Sequence, residues 1–333
     1  MAAIAIAGAG VMGRLLAWQL AHAGHRVQVV DPATGPEQPG AAAFTAAGLL
    51  SPLAEQENAE PEVAALGWRS LALWPAIADA LGRPGLVKTD GSLLLAHAGD
   101  AGAALRVLAR LRGGPEPLNR AALQMLEPAL APDLKAWWLP GEGQLQPREL
   151  LLALAEQAPA VDWHWGRRAV AVRPNMLALD DGHRLDADLV IDTRGLGAKP
   201  DVTGLRGVRG EILWLHAPGI ALNRPVRLMH PRHRVYLVPR PGDVIVVGAS
   251  EIESEDRSPV SLRSAVELMA AAHSVLPALA EARILHLETN LRPALPDHRP
   301  RIDHEPGLLR INGLFRHGWL LAPALAEKAL RHV

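Results

Sequence analysis

Apolar and polar positions in the first thirty-one residues spell strand, turn, helix, strand. Residues 2–7, Ala-Ala-Ile-Ala-Ile-Ala, form an uncharged apolar run of the kind that suits a strand buried on both faces. Leu16 and Leu20, with Ala17 and Ala21, recur at helical spacing along one face, and Gly24 closes that helix. A second apolar run at 27–30 ends in Asp31. Farther along, 61–81 is an amphipathic helix carrying Trp68, Leu71, Leu73, Trp74 and Ile77. Residues 86–97 read as a hairpin around Thr89-Asp90-Gly91, and 100–112 and 119–127 as helices. Residues 137–139 read as a strand leading into a loop with Gly141 and Gly143, and Pro147 opens a helix through 158. The stretch 161–172 alternates, and 185–192 is an apolar strand with a hairpin before it. From Gly210 the pattern changes to long alternating β segments at 211–216, 226–229, 235–239 and 244–249, the last two joined by the turn 240–243. Residues 259–281 read as helical. The chain closes with a strand at 308–312, a loop at 313–318 and a helix at 322–330.

Strands and helices alternate at both ends of the chain, around a β-rich middle. That order predicts an α/β fold with an α+β insert. The expected division is a Rossmann-like dinucleotide-binding domain built from discontinuous segments, 1–80, 140–205 and 288–333, and a β-rich substrate-binding domain from 81–139 and 206–287.

The glycine turn between the first strand and helix sharpens the picture. Gly8-Ala9-Gly10-Val11-Met12-Gly13 is a G-x-G-x-x-G in the context that gives the motif meaning. Gly8 allows the tight exit from the strand. Gly10 lets backbone approach a pyrophosphate, and Gly13 lets the helix pack closely on the strand. The helix N-terminus, beginning with Val11 and Met12, offers unpaired N–H groups to phosphates. Asp31 follows Gly13 by 18 residues and is placed to accept hydrogen bonds from ribose hydroxyls. The stretch by itself leaves NAD(P) and FAD both open. The nearly chargeless block 41–52 suits either close approach to a flat ligand or an Ala-rich helix packed on the sheet.

Composition excludes several alternatives. With 49% hydrophobic and 21% charged residues, the 333-residue chain has ample apolar material for a large core. A formal net charge of −1 gives no electrostatic case for nucleic acid or an anionic membrane. The absence of cysteine removes disulfides, thiolate nucleophiles and Cys-ligated metals, and fits a cytoplasmic setting. The apolar N-terminus lacks a basic leader and passes straight into the glycine turn, unlike a secretion signal, and no run is long enough to span a bilayer. His230 and His233 stand three apart in a Pro/Arg loop without a third ligand at metal spacing, so no metal is expected.

Four blocks together resemble the FAD-dependent D-amino-acid oxidase superfamily, in its glycine oxidase and sarcosine oxidase branch. They are the N-terminal fingerprint, the block ending Ala46-Ala47-Gly48-Leu49-Leu50-Ser51-Pro52, and Gly210-Glu211 with 236–240 and 247–249. The fourth comprises Leu291-Arg292-Pro293 and the closing 313–323. The resemblance covers nearly the whole chain and implies FAD rather than a nicotinamide. It implies that Ala42, Ala43, Ala47, Gly48 and Leu49 cradle the isoalloxazine and phosphates. It also implies that Ala169 meets adenine, and that Thr193, Arg194 and Gly195 lie by the pyrophosphate. Gly313, Phe315, Arg316, His317, Gly318, Trp319 and Leu320 are implied to present backbone N–H groups and a helix dipole to the flavin N1–C2=O, where reduction places negative charge.

On the substrate side the resemblance implies that Arg292 grips a carboxylate beside the flavin, that Tyr236 hydrogen-bonds the same group, and that Arg316 stands near it. One departure is Ser250-Glu251-Ile252-Glu253, at a place where an apolar residue is usual in the family. With Glu255 and Asp256 nearby it reads as a solvated acidic loop, the alternative being a carboxylate inside the pocket. The activity implied is oxidation of a C–N bond in a small amine or amino acid, with hydride to flavin N5, imine hydrolysis and O2 reduced to H2O2. The alternatives are a dehydrogenase passing electrons to a quinone or other carrier, and a flavin-binding regulatory protein without turnover. The implied partners are a small-molecule amine or amino-acid substrate and O2 or an electron carrier, with a homo-oligomer left open.

Overall fold

The computed structural model describes residues 1–57, 60–113, 115–230 and 234–333; His233, and with it the spacing to His230, lies outside them. At the centre is β1 (Ala3–Ala7), flanked in parallel by β2 (Arg26–Asp31) and by Leu189–Asp192. Among the described residues these belong to a six-stranded sheet. Leu308–Asn312 extends it on one side and Asp162–Trp165 on the other, both parallel, and Arg301–Glu305 closes one edge antiparallel.

The alternation of β1 explains how one short strand serves two cores. Ile4 and Ile6 point to a helical layer made by α1 (Val11–His22) and the helices Pro147–Glu156 and Gly318–Ala329. Ala5 and Ala7 point the other way, onto a three-stranded antiparallel sheet of Ala169–Arg173, Met176–Leu179 and Arg184–Asp186. Large side chains meet helices and small ones meet a second sheet lying close by.

A second sheet of eight strands runs in the order Arg283–Ala294, Arg206–His216, Val244–Gly248, Arg234–Arg240, Val226–Met229, Ser92–Ala96, Lys135–Leu139, Glu116–Leu118. Its pairings are antiparallel except between Val226–Met229 and Ser92–Ala96. One face, with Leu213, Leu237 and Val247, packs under the helix Leu262–Val275. The opposite face carries Ile212, Tyr236, Val238 and Val246 against Ala47. The mixed α/β character matches the expected fold class.

Several local expectations are corrected. The hairpin at 86–97 does not form. Val87–Lys88 pairs with Gly143–Leu145, whereas Ser92–Ala96 joins the eight-stranded sheet between Lys135–Leu139 and Val226–Met229. Gly91, at φ +78, turns the chain where a Cβ would stand 2.2 Å from the Trp138 ring. A local turn signal cannot tell a hairpin from a hand-over between sheets. The helix at 259–281 is shorter, capped by Ser261 and ending at Val275, because Pro277 lacks the N–H to continue it and starts a 3-10 turn instead. The alternating stretch 161–172 is broken at Gly166, φ +72, so that its halves enter different sheets. The last helix starts at Gly318.

The long strand Arg283–Ala294 has no counterpart in the pattern reading, since a bulge opposite Trp214/Leu215 interrupts its alternation. No helix among the described residues is long and apolar enough to cross a membrane.

Candidate active site

A cavity of about 1030 Å³ opens where the carboxyl ends of the parallel strands meet the inner face of the eight-stranded sheet. The glycine turn forms one end of it. Gly8 has φ +99, and a Cβ there would stand 2.7 Å from the Thr193 carbonyl oxygen. At Gly13, which does not line the cavity, a Cβ would fall 1.8 Å from the Gly8 carbonyl oxygen. Gly10 is different: a Cβ would meet only the Ala41 methyl at 3.7 Å, so its open side is the cavity itself. Gly10 also caps α1 without a side-chain hydrogen bond, leaving the first N–H groups, at Val11 and Met12, to a ligand. Asp31 lines the same end, its Oδ2 accepting from Ala9 N at 2.6 Å and its Oδ1 from Ala33 N at 2.8 Å.

Thr193, Arg194, Gly195 and Ala169 line this end as well. The Thr193 hydroxyl donates to the Ala7 and Gly8 carbonyls, tying two strand exits together. The Arg194 guanidinium is committed to Asp192 and Asp201, both at 2.7 Å, so its backbone rather than its charge is left to face a ligand. Ala42, Ala43, Ala47, Gly48 and Leu49 line the middle of the cavity. Ala42–Thr45 forms a single helical turn, so the small-residue block both packs as helix and walls the cavity.

The C-terminal loop supplies a second uncapped helix start. Gly318–Ala329 begins at the cavity with no side-chain cap, and Gly318, Trp319 and Leu320 line it together with Phe315, Arg316 and His317. Gly313 lies outside the lining, at φ +76 where a Cβ would stand 2.6 Å from Leu295 Cδ1, so it shapes the turn instead. Phe315 adopts φ +49, an uncommon conformation for an aromatic residue, and its ring stacks on His298 at 4.4 Å.

Arg292, Tyr236 and Arg316 all reach this cavity. Arg292 lies in the strand Arg283–Ala294, where its guanidinium donates to the Ser250 carbonyl at 3.0 and 3.1 Å and to the Arg209 carbonyl at 3.4 Å. It forms no ion pair among the described residues. Burial lowers its pKa, against the pull of Tyr236 and Glu251, yet a guanidinium remains charged at any working pH. Burial raises the Tyr236 hydroxyl, with Arg292 opposing, so the phenol is a neutral donor.

Two glycines make room for this pair. A Cβ on Gly210 would stand 2.4 Å from Arg292 Nη2, and one on Gly248 would stand 2.7 Å from the Tyr236 hydroxyl. Glu211, paired with Arg209 at 2.6 Å, accepts from the Ser250 hydroxyl at 2.9 Å and so fixes the carbonyl that Arg292 uses.

Glu55 and Arg227 were not among the expected site residues. Glu55, buried on the helical turn Pro52–Glu55, binds Arg316 at 2.9 Å and stands 3.6 Å from both Arg227 and His317. Burial pushes its carboxyl up, but His317 when protonated, Arg316 and Arg227 outweigh burial and hold it at about 2. Burial lowers His317 to about 4, so the ring is neutral at pH 7. Arg227 was within reach of pattern reading. In Val226–Met229 the buried positions are Val226 and Leu228, which puts Arg227 on the other face, beside its register partner Tyr236. The acidic loop is not simply solvated. Glu253 and Glu255 pair with Arg206 and Lys199, and Glu251 lines the cavity and binds Arg316 at 3.1 Å. No cluster of three metal-ligating side chains occurs among the described residues.

Residues 3–330 match the model of the DAO family, FAD dependent oxidoreductase. The chain belongs to this family. A relative from Rhizobium etli, carrying the name "Putative thiamine biosynthesis oxidoreductase ThiO", is 40% identical across 99% of this chain and 96% of its own. The solved glycine oxidase from Geobacillus kaustophilus superposes with TM-score 0.85 at 27% identity, covering 99% of this chain and 93% of that one. Iminodiacetate oxidase from Chelativorans sp. BNC1 superposes with TM-score 0.83 at 26% identity, covering 97% and 93%.

As a DAO-family oxidoreductase the protein depends on FAD, and the residues fit that cofactor. Two helix N-termini without side-chain caps face one cavity, as a pyrophosphate and an electron-rich ring edge require, and the open side of Gly10 leaves the space a phosphate needs.

Proposed function

We propose that the protein oxidises the C–N bond of a small amino acid whose carboxylate is held by Arg292 and Tyr236. The observation that carries this reading is the Arg292 guanidinium, which lines the cavity with carbonyl oxygens as its only hydrogen-bond partners among the described residues. A buried positive charge without a counter-ion is costly, and a bidentate carboxylate removes the cost. The names glycine oxidase and iminodiacetate oxidase among similar proteins support the same substrate class.

FAD, when bound, would supply the two-electron redox chemistry at the substrate Cα–N bond. In this proposal Gly8, Gly10, Val11, Met12, Asp31, Thr193 and Gly195 hold its nucleotide half. The 42–49 wall and the 315–320 loop hold the ring. Arg292 fixes the carboxylate by two parallel hydrogen bonds, and the neutral Tyr236 hydroxyl donates a third. Positioning of this kind, rather than a side-chain base, is the residues' contribution to rate. The imine product hydrolyses in water to an oxo acid and ammonia or an amine. The proposed acceptor is dioxygen, giving hydrogen peroxide. The segments 1–80, 140–205 and 288–333 are proposed as the FAD domain, with 81–139 and 206–287 as the substrate domain.

The test is anaerobic addition of glycine, sarcosine, D-alanine and diamino acids to the FAD-loaded protein. Loss of the oxidised flavin spectrum, and stoichiometric peroxide when air is readmitted, are expected. A spectrum unchanged by every member of the panel refutes the substrate class. Dye reduction without peroxide would instead identify a carrier as the acceptor.

A further inference from the structure

Beside Tyr236 the cavity is lined by the guanidiniums of Arg227, Arg292 and Arg316 and the carboxylates of Glu55 and Glu251. Arg316 bridges the carboxylates, with Nη2 2.9 Å from Glu55 and Nη1 3.1 Å from Glu251. Arg227 stands 3.6 Å from Glu55, and its buried Nε has no hydrogen-bond partner. His317, lowered to about 4, adds no charge at neutral pH. Among these lining groups, three positive against two negative leave a single excess positive charge; Arg240, also near Tyr236, lies outside the lining. It belongs to Arg292, which has no ion-pair partner among the described residues. Glu57 and Arg257 also line the cavity and are of opposite sign.

The two carboxylates are not equivalent. Glu55 is 8% exposed and serves Arg316, Arg227 and His317 together. The Glu251 side chain is 46% exposed, with Arg316 as its ion-pair partner. Such a half-exposed pair contributes little to folding. Its position matters more. Adjacent residues address the two guanidiniums, the Ser250 carbonyl taking Arg292 and the Glu251 carboxylate taking Arg316.

We propose that Glu251 is a specificity-determining residue that restricts the substrate to one carboxylate. It occupies the Arg316 Nη1 that a second carboxylate would use, and its own charge repels that carboxylate. Specificity of this kind is set by what is repelled as much as by what is held. The inference rests on the amino-acid reading above and adds the number of anionic groups the ligand carries.

The test compares the FAD-loaded wild type with Glu251→Gln and Glu251→Ser. The first readout is binding, by flavin absorbance, of acetate against malonate, which requires no turnover. The second is kcat/KM for sarcosine against iminodiacetate, which differ in that a carboxymethyl group replaces a methyl. Wild type is expected to favour the monocarboxylate in both. The variants are expected to shift both ratios toward the dicarboxylate by about tenfold, an effect that shrinks as salt rises. Glu251→Asp should restore part of the preference. Ratios unchanged within twofold in both neutral variants overturn the proposal, as does a wild type that binds malonate as well as acetate. Failure of every amino acid to reduce the flavin would refute the substrate reading, whereas the acetate and malonate ratios still decide the role of Glu251.

Discussion

Gly210→Ala tests the carboxylate site without touching a charged residue. Gly210 lies in Arg206–His216, opposite Asn290 and two positions along from the register partner of Arg292, whose guanidinium folds across it. A Cβ there would stand 2.4 Å from Nη2 and 2.5 Å from Cζ of Arg292, where ordinary contact begins at 3.4 Å. The guanidinium must therefore retreat by roughly 1 Å, which stretches a charged hydrogen bond of ~2.8 Å beyond useful length. Losing one of two such bonds costs about 1.5–3 kcal/mol, or roughly 10- to 150-fold in Kd.

The assay is titration of the FAD-loaded variant with acetate and glycolate by flavin absorbance, together with kcat/KM for the best amino acid. Overpacking will also lower stability by about 1–3 kcal/mol, so the melting temperature of the loaded protein is measured in parallel. The decisive comparison is a double-mutant cycle with Arg292→Met. If Gly210 acts by leaving room for Arg292, the alanine has no further effect once the guanidinium is gone. A folded Gly210→Ala protein with carboxylate affinity within twofold of wild type refutes the assignment, as does full additivity in the cycle.

Two further predictions concern the cofactor and pH. Gly10→Val should leave the melting temperature of the apoprotein nearly unchanged, because a Cβ there meets only Ala41 at 3.7 Å. FAD affinity should fall by at least about tenfold, since the added methyls occupy phosphate space; retained FAD content would contradict the placement. His317 is lowered from 6.5 to about 4 by burial, so its neutral form is favoured in the folded state. That contribution is complete above pH 6.5 and is lost as pH falls toward 4, with an upper size on the order of 3 kcal/mol. The groups facing it are Glu55, Arg316, Arg227 and Glu251. Replacing His317 by Asn should flatten urea-unfolding stability between pH 6.5 and 4, and an unchanged slope would show that the ring titrates normally.

Pattern reading placed the core elements well where one strand or helix carried its own signal, as in β1, α1 and the strand Leu308–Asn312. It failed where pairing partners were distant. The Ser92–Ala96 strand takes its neighbours from residues 135–139 and 226–229, and no local turn propensity reveals that choice. The Arg283–Ala294 strand was hidden by its bulge, although it carries Arg292. Glu55 was invisible for a related reason. A lone acid after Pro52 looks like any helix-start residue until Arg227, Arg316 and His317 converge on it.

The sequence by itself determined the nucleotide end of the cavity. Gly8, Gly10, Gly13 and Asp31 sit in one continuous strand–turn–helix–strand, where Gly8 turns at φ +99, Gly13 packs on the Gly8 carbonyl and Asp31 accepts from Ala9 N, all within about thirty residues. Tertiary structure decided the substrate end. Glu55, Arg227, Tyr236, Glu251, Arg292 and Arg316 come from separate segments, brought together by the register that sets Arg227 opposite Tyr236 and Arg292 opposite Val208. Whether a guanidinium there is already paired or waits for a ligand depends on distances of a few ångströms between those segments. Charge balance in a cavity is a property of the folded chain, because it is summed over groups that only folding makes neighbours.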